Sequence, residues 1–291
     1  MDDPIYRNEL LTTLTRYLYS RIEAKQSLFV SLLMRDTKQS LFWGYELFYS
    51  GFREETYDFV KDIYNEIYAD DNPDMKPFID NLIDEWYKTS DDSADCNLGS
   101  IIYTLSLRNY NLVNFVKDKL QYTVTKDVVD DNTAIPLCFI SMTPEHIQPY
   151  ATKTVSTEKA SHLFSRLHLY PAIKIYNNLF DTKMPDEFST IYHYPLEKWL
   201  YSASTSPCWL ERIEQHNGII NNESKLVEFP DTNDEIEFCK KWDYEQDEQL
   251  LHIRQMSLGN ATDKQQTIKQ FCKKFKHSIV CKPTKRKIVK K

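Results

Sequence analysis

Glycine is scarce in this chain, five residues in 291. So few leave little material for phosphate-cradling loops, tight hairpins or close backbone approach to a ligand. No apolar run nears the roughly twenty residues that a membrane span requires. None of the six cysteines stands in a CxxC pair, so the spacing of a zinc site is missing. HExxH, GxSxG, Walker-type and GxGxxG loops and the EF-hand loop are missing too, which removes the familiar signatures of hydrolases, nucleotide-binding enzymes and calcium sensors. The first residues, MDDPIYRNEL, are acidic and polar, unlike a secretory leader. Together with the scattered cysteines this predicts reduced thiols in a cytosolic or nuclear compartment.

Aromatic residues, by contrast, are abundant. They make up 13% of the chain, with nineteen tyrosines, against 41% apolar and 27% charged residues overall. Those proportions suit a globular chain with enough length for one large or two modest domains. The net charge of −7 conceals a division. Eleven of the 36 bases and none of the 43 acids follow residue 263, leaving 25 bases and a net charge of −18 before it. The chain has an acidic body and a basic end.

Apolar residues recur mostly at three- and four-residue spacing, the helical period. An acidic cap and Pro4 open a predicted helix over 4–24, carrying Leu10, Leu11, Leu14, Tyr17 and Leu18, and a shorter one follows over 26–34. Asp36 is placed to cap a third helix in which Leu41, Tyr45, Phe48 and Phe52 form one stripe, with Gly51 as its stop. A fourth, from about residue 54, turns Tyr57, Val60, Tyr64 and Ile67 inward. Further helices are predicted over 77–88, from Leu98 and over 112–120. Two segments offset by 73 residues, SLFVSLLMRDTKQSLFW and SIIYTLSLRNYNLVNFV, share apolar placement. Either a helical-hairpin repeat or the general likeness of amphipathic helices accounts for that. Periodicity fades over 122–154, where 135–142 reads as a strand or a buried turn. Helices resume near 157–167, 171–180 and 195–202. Ser206, Pro207 and Gly218 delimit another. Residues 225–229 read as a short strand or an extended link, and a long acidic helix is predicted over 231–258 with Ile236, Cys239, Leu250 and Ile253 inward. A final helix over 262–276 precedes an end whose composition predicts disorder.

The sequence offers few candidates for chemistry. The aromatics of 26–68 could stack on bases or anchor a partner, but their spacing suits a packed core with hydroxyls at its edge. Trp43 and Glu46 fall off the main stripe and are therefore the expected protein-binding surface. The histidines are too scattered to pair as ligands one helical turn apart. The acids between Asp231 and Glu248 suit a divalent ion or, more simply, a solvated helix face. In the basic end, Lys282, Lys285, Arg286, Lys287, Lys290 and Lys291 suit phosphates bound without sequence preference, a nuclear address or a solubilising terminus.

The string SLFWGYELFYSGF at 40–52, with RNELLTTLTRYLYSRIEAKQS ahead of it and VEFPDTNDEIEFCKKWDYEQDEQ at 227–249, resembles an uncharacterised helical family of nucleocytoplasmic large DNA viruses. That resemblance spans roughly a third of the chain and brings no activity or catalytic residues with it. The expectation is a mainly α protein: an N-terminal array of antiparallel helices over 1–122, a connector over 123–154, a more irregular, mostly helical region over 155–272 and a basic tail over 273–291. The expected function is a non-enzymatic interaction or structural component of a virion or replication site. It has no cofactor, metal or membrane span, and acts in the host cytoplasm or nucleus or in the virion through a protein partner. The alternative is a nucleic-acid-associated protein working through its tail.

Overall fold

The computed structural model describes residues 13–89, 95–120, 122–127, 138–151, 170–174, 198–242, 251–257, 267–275 and 279–283. The fold is mainly helical, as its periodicity predicts, with an N-terminal array of helices packed on one another and, among the described residues, two small two-stranded sheets.

The first described segment departs from expectation. Residues 13–20 are not helical but form a buried turn closed by a bridge between Leu14 and Ser20, with Leu18 at φ 61°. Helical period persists there, yet two backbone donors are taken by side chains from elsewhere. The Arg16 amide donates to Ser50 Oγ (2.7 Å) and the Tyr17 amide to Glu46 Oε1 (3.0 Å). Helix α1 (Arg21–Leu33) starts only after this turn and runs through the expected break near residue 25. It ends with Arg35 at φ 55° and the Asp36 amide returning to the Ser31 carbonyl (3.0 Å), a Schellman closure without glycine.

Helix α2 (Thr37–Tyr49) is capped as predicted, Asp36 accepting from the Gln39 amide (3.1 Å), and Gly51 at φ 95° turns the chain after it. Its stripe of Leu41, Tyr45 and Phe48 is buried. Helix α3 (Arg53–Ile63) continues into a π-helical turn, Tyr64–Tyr68, and α4 (Met75–Lys88) and α5 (Asp95–Ser106) complete the array. The α1–α2 interface is the largest between helices, with α2–α5 next. At the latter, a Cβ on Gly44 would overlap Ile102, so glycine here permits close approach of two helices. A second π-helical turn, Phe115–Lys119, leads into strand β1 (Tyr122–Asp127).

Among the described residues of the expected connector, 138–143 are irregular and α6 (Pro144–Ile147) packs on α5. Residues 171–174, expected to begin a helix, are not helical. They lie along α1, where Ser27 Oγ accepts from the Ile173 amide (2.8 Å) and the Tyr19 hydroxyl donates to the Tyr170 carbonyl (2.8 Å). Helices α7 (Trp199–Ala203) and α8 (Pro207–Glu214) precede a hairpin of β2 (Ile219–Asn221) and β3 (Leu226–Glu228). Asn217 at φ 55° takes the left-handed position expected of Gly218. In the hairpin loop Asn221 Oδ1 accepts from the Glu223 and Ser224 amides (both 3.0 Å), an Asx turn built by the NNES sequence.

Helix α9 (Thr232–Trp242) buries Phe238 and Trp242, while Ile236, expected inward, is 45% exposed. Residues 243–250 lie outside the described residues, and α10 (Leu251–Ser257) follows them. Helix α11 (Ile268–Lys274) has a Thr267–Gln270 capping box. Part of the basic end is ordered, contrary to expectation: β4 (Ile279–Pro283) pairs antiparallel with β1, a partner more than 150 residues away. One buried cluster draws on both halves, from Leu14 to Phe275. Trp209 of α8 donates to the Thr15 carbonyl (3.2 Å) and thereby ties the C-terminal half to the first turn.

Candidate functional site

Trp43 and Glu46, expected on a partner-binding surface, are both 0% exposed, which corrects that placement. Trp43 sits edge-on to Tyr19 (4.9 Å) and Phe42 (4.8 Å). Glu46 faces Arg16 in a buried ion pair, Arg16 Nε donating to Glu46 Oε2 at 2.9 Å. Residues off the apolar stripe of an amphipathic helix are normally solvated. Here the turn over 13–20 and α8 cover that side of α2 as well. Arg16 also donates through Nη2 to the Tyr150 carbonyl (2.7 Å) and lies over the Tyr17 and Tyr49 rings (4.6 and 5.0 Å). Burial pushes the Glu46 carboxyl up, while Arg16, the Thr15 hydroxyl and the Tyr17 amide pull it back. With all its charge internally matched, the pair works as a clasp between the first turn, α2 and the α6 region.

A second polar grouping lines α1. Glu23, Gln26, Ser27 and Ser31 are all buried, and their spacing keeps them within one side of the helix. Glu23 Oε1 has no hydrogen-bond partner among the described residues, its nearest cation being Lys174 Nζ at 3.9 Å. Burial raises the Glu23 carboxyl to about 7, with Lys174 opposing the rise. A carboxyl held near neutrality gains and loses a proton at working pH, the property required of a general acid or base. Little in the sequence signals it, since nothing local tells that a glutamate in the first turn of α1 will be covered by residues 170–174.

A pocket of about 270 Å³ opens on the other side of α1. Phe29, Phe59, Ile63 and Phe115 form its apolar lining, and Lys25, Asp62, Glu66 and Lys119 stand around them. Lys119 pairs with Glu66 (2.8 Å), and Lys25 with Glu55. This is below the 300–1,000 Å³ typical of small-molecule clefts and suits one or two side chains.

Among the described residues, no group of three or more His, Cys, Asp or Glu side chains is placed to hold a metal ion, and no helix is long and apolar enough to cross a membrane. The backbone of Lys282 lies in β4, opposite Thr123. Lys285, Arg286, Lys287, Lys290 and Lys291 lie outside the described residues, as do His162, His168 and His193.

The C-terminal hairpin presents two exposed aliphatic side chains on one face. Register places Ile219 opposite Glu228 and Asn221 opposite Leu226, so these four share one face while Ile220 and Val227 share the other. Val227 packs on the core, and on the outward face Ile219 is 56% and Leu226 40% exposed. The loop is held to α7 by Lys198 Nζ on the Ser224 carbonyl (3.0 Å) and the Tyr201 hydroxyl on Asn222 Oδ1 (3.2 Å). Among the described residues β2 and β3 pair only with one another. Comparison with protein-family models, curated proteins and solved structures finds no match.

Proposed function

We propose that this chain is a non-enzymatic interaction or structural component of a large DNA virus, acting in a virion or at a replication site and engaging a protein partner through its C-terminal hairpin. The observation that carries the reading is the outward face of β2 and β3. Two branched aliphatic side chains lie exposed on a short ribbon whose loop is anchored to α7. A strand edge with apolar side chains beside it is a template for strand addition, in which backbone hydrogen bonds supply affinity and side-chain contacts specificity. The viral setting is supported by the resemblance carried by residues 40–52 and 227–249, the second of which begins in β3 and continues through α9. The inward-turned Trp43 and Glu46 take no part.

The test is affinity capture from infected cells with the full chain and with a variant carrying Ile219→Asp and Leu226→Asp. The expected result is a stoichiometric partner on size exclusion that the variant loses while its melting temperature stays within a few degrees of the parent. A chain that runs as a lone monomer, or a partner retained by the variant, contradicts the reading.

A further inference from the structure

The register between β1 and β4 determines where the basic end of the chain leaves the fold. Asp127 lies opposite Ile279 and Tyr122 opposite Pro283. Strand β4 therefore runs back along β1 towards its start, and its last residue arrives three positions after Lys119. The π-helical turn Phe115–Lys119 supplies two of the residues that line the pocket. The last described residue before 284–291, Pro283, thus pairs with Tyr122, three positions along the chain from the pocket residue Lys119. Fully extended, eight residues reach at most roughly 29 Å.

The pocket and this segment are chemically matched. Asp58, Asp62 and Glu66 follow one another at four-residue spacing along α3 and the turn after it, an arrangement in which like charges repel. Glu66 is engaged by Lys119, whereas Asp62 is in no ion pair among the described residues. Burial, Asp58 and Glu66 hold the Asp62 carboxyl above its ordinary value, against Lys119 and Lys25. Beneath this acidic edge lie Phe29, Phe59 and Phe115. The segment TKRKIVKK offers the converse, Ile288 and Val289 between five bases.

We infer that residues 284–291 dock on this chain's own pocket, with Ile288 or Val289 on its aromatic lining and the flanking lysines against Asp58, Asp62 and Glu66. Tethering places the segment at millimolar effective concentration, so weak contacts suffice. In the docked segment the bases are neutralised against the acidic body. High salt releases it. This inference is independent of the hairpin.

The test is zero-length carbodiimide cross-linking of the full-length chain, with peptide mapping of the monomeric fraction. At low salt, amide links are expected from Lys285, Lys287, Lys290 or Lys291 to Asp58, Asp62 or Glu66. Their yield should fall about ten-fold in an Ile288→Asp variant, the scale set by burying one aliphatic side chain, and disappear in 1 M salt. Residue 288 lies beyond β4, and an unchanged melting temperature confirms that the variant is folded. Links mainly to Asp234, Glu235 and Glu237, links only between two copies, no links, or a yield indifferent to Ile288→Asp would each overturn the inference.

Discussion

Replacing Glu23 with glutamine should make the protein more stable at pH 8 and leave it nearly unchanged at pH 4.5. The carboxyl sits at about 7 in the fold against an ordinary value of 4.5. A folded value above the unfolded one means that the native state holds the proton more tightly. The associated stability is fully present below pH 4.5, falls as pH rises between 4.5 and about 7, and is gone above that. The difference, about 2.5 units at 1.36 kcal/mol each, corresponds to about 3 kcal/mol. Lys174 at 3.9 Å already softens the loss, so a Lys174→Met variant should steepen it. Glutamine keeps the shape and never ionises, which isolates the effect. The assay is urea unfolding of parent and Glu23→Gln from pH 4.5 to 8.5, reading the difference between them so that other titrating groups cancel. A difference that grows by about 2–3 kcal/mol in favour of glutamine across that range supports the argument. A pH-independent difference would refute it, as would a loss of stability at pH 8.

Other consequences concern the clasp and the packing beneath it. Arg16→Met or Glu46→Gln alone should cost about 3–5 kcal/mol in denaturant unfolding, because each leaves a buried partner uncompensated. The double variant Arg16→Met with Glu46→Gln should cost clearly less than the sum, and simple additivity would speak against a coupled pair. Gly44→Ala should destabilise by about 1–3 kcal/mol through overlap with Ile102, and Ile102→Val should return part of that loss. If Gly44→Ala proves neutral in thermal melts, α2 and α5 are not in close approach.

The parts of the fold governed by local chemistry were legible in the sequence. Asp36 caps α2, Gly51 stops it, and Leu41, Tyr45 and Phe48 point into the core, each fixed by residues within a turn or two. Expectation failed where distant groups decide. Residues 13–20 keep a helical period, but their amides are claimed by Glu46 and Ser50, about thirty residues on. Glu46 occupies a polar position on α2, and only the arrival of Arg16 makes that position interior. The β1–β4 ladder joins segments too short and too far apart for alternation to reveal. The pocket was equally hidden, because α1, α3 and two π-helical turns each contribute only part of its lining. That Ile219 and Leu226 share an outward face follows from the register of two three-residue strands, too short for alternation to show.

The claim that this face recruits a protein partner is tested most directly by amide hydrogen exchange on the captured complex and on the free chain. The account predicts slowed exchange in Ile219–Asn221 and Leu226–Glu228 on binding, with the buried α1 and α2 amides unchanged. Protection that instead falls elsewhere, with both hairpin strands exchanging as in the free chain, would contradict it.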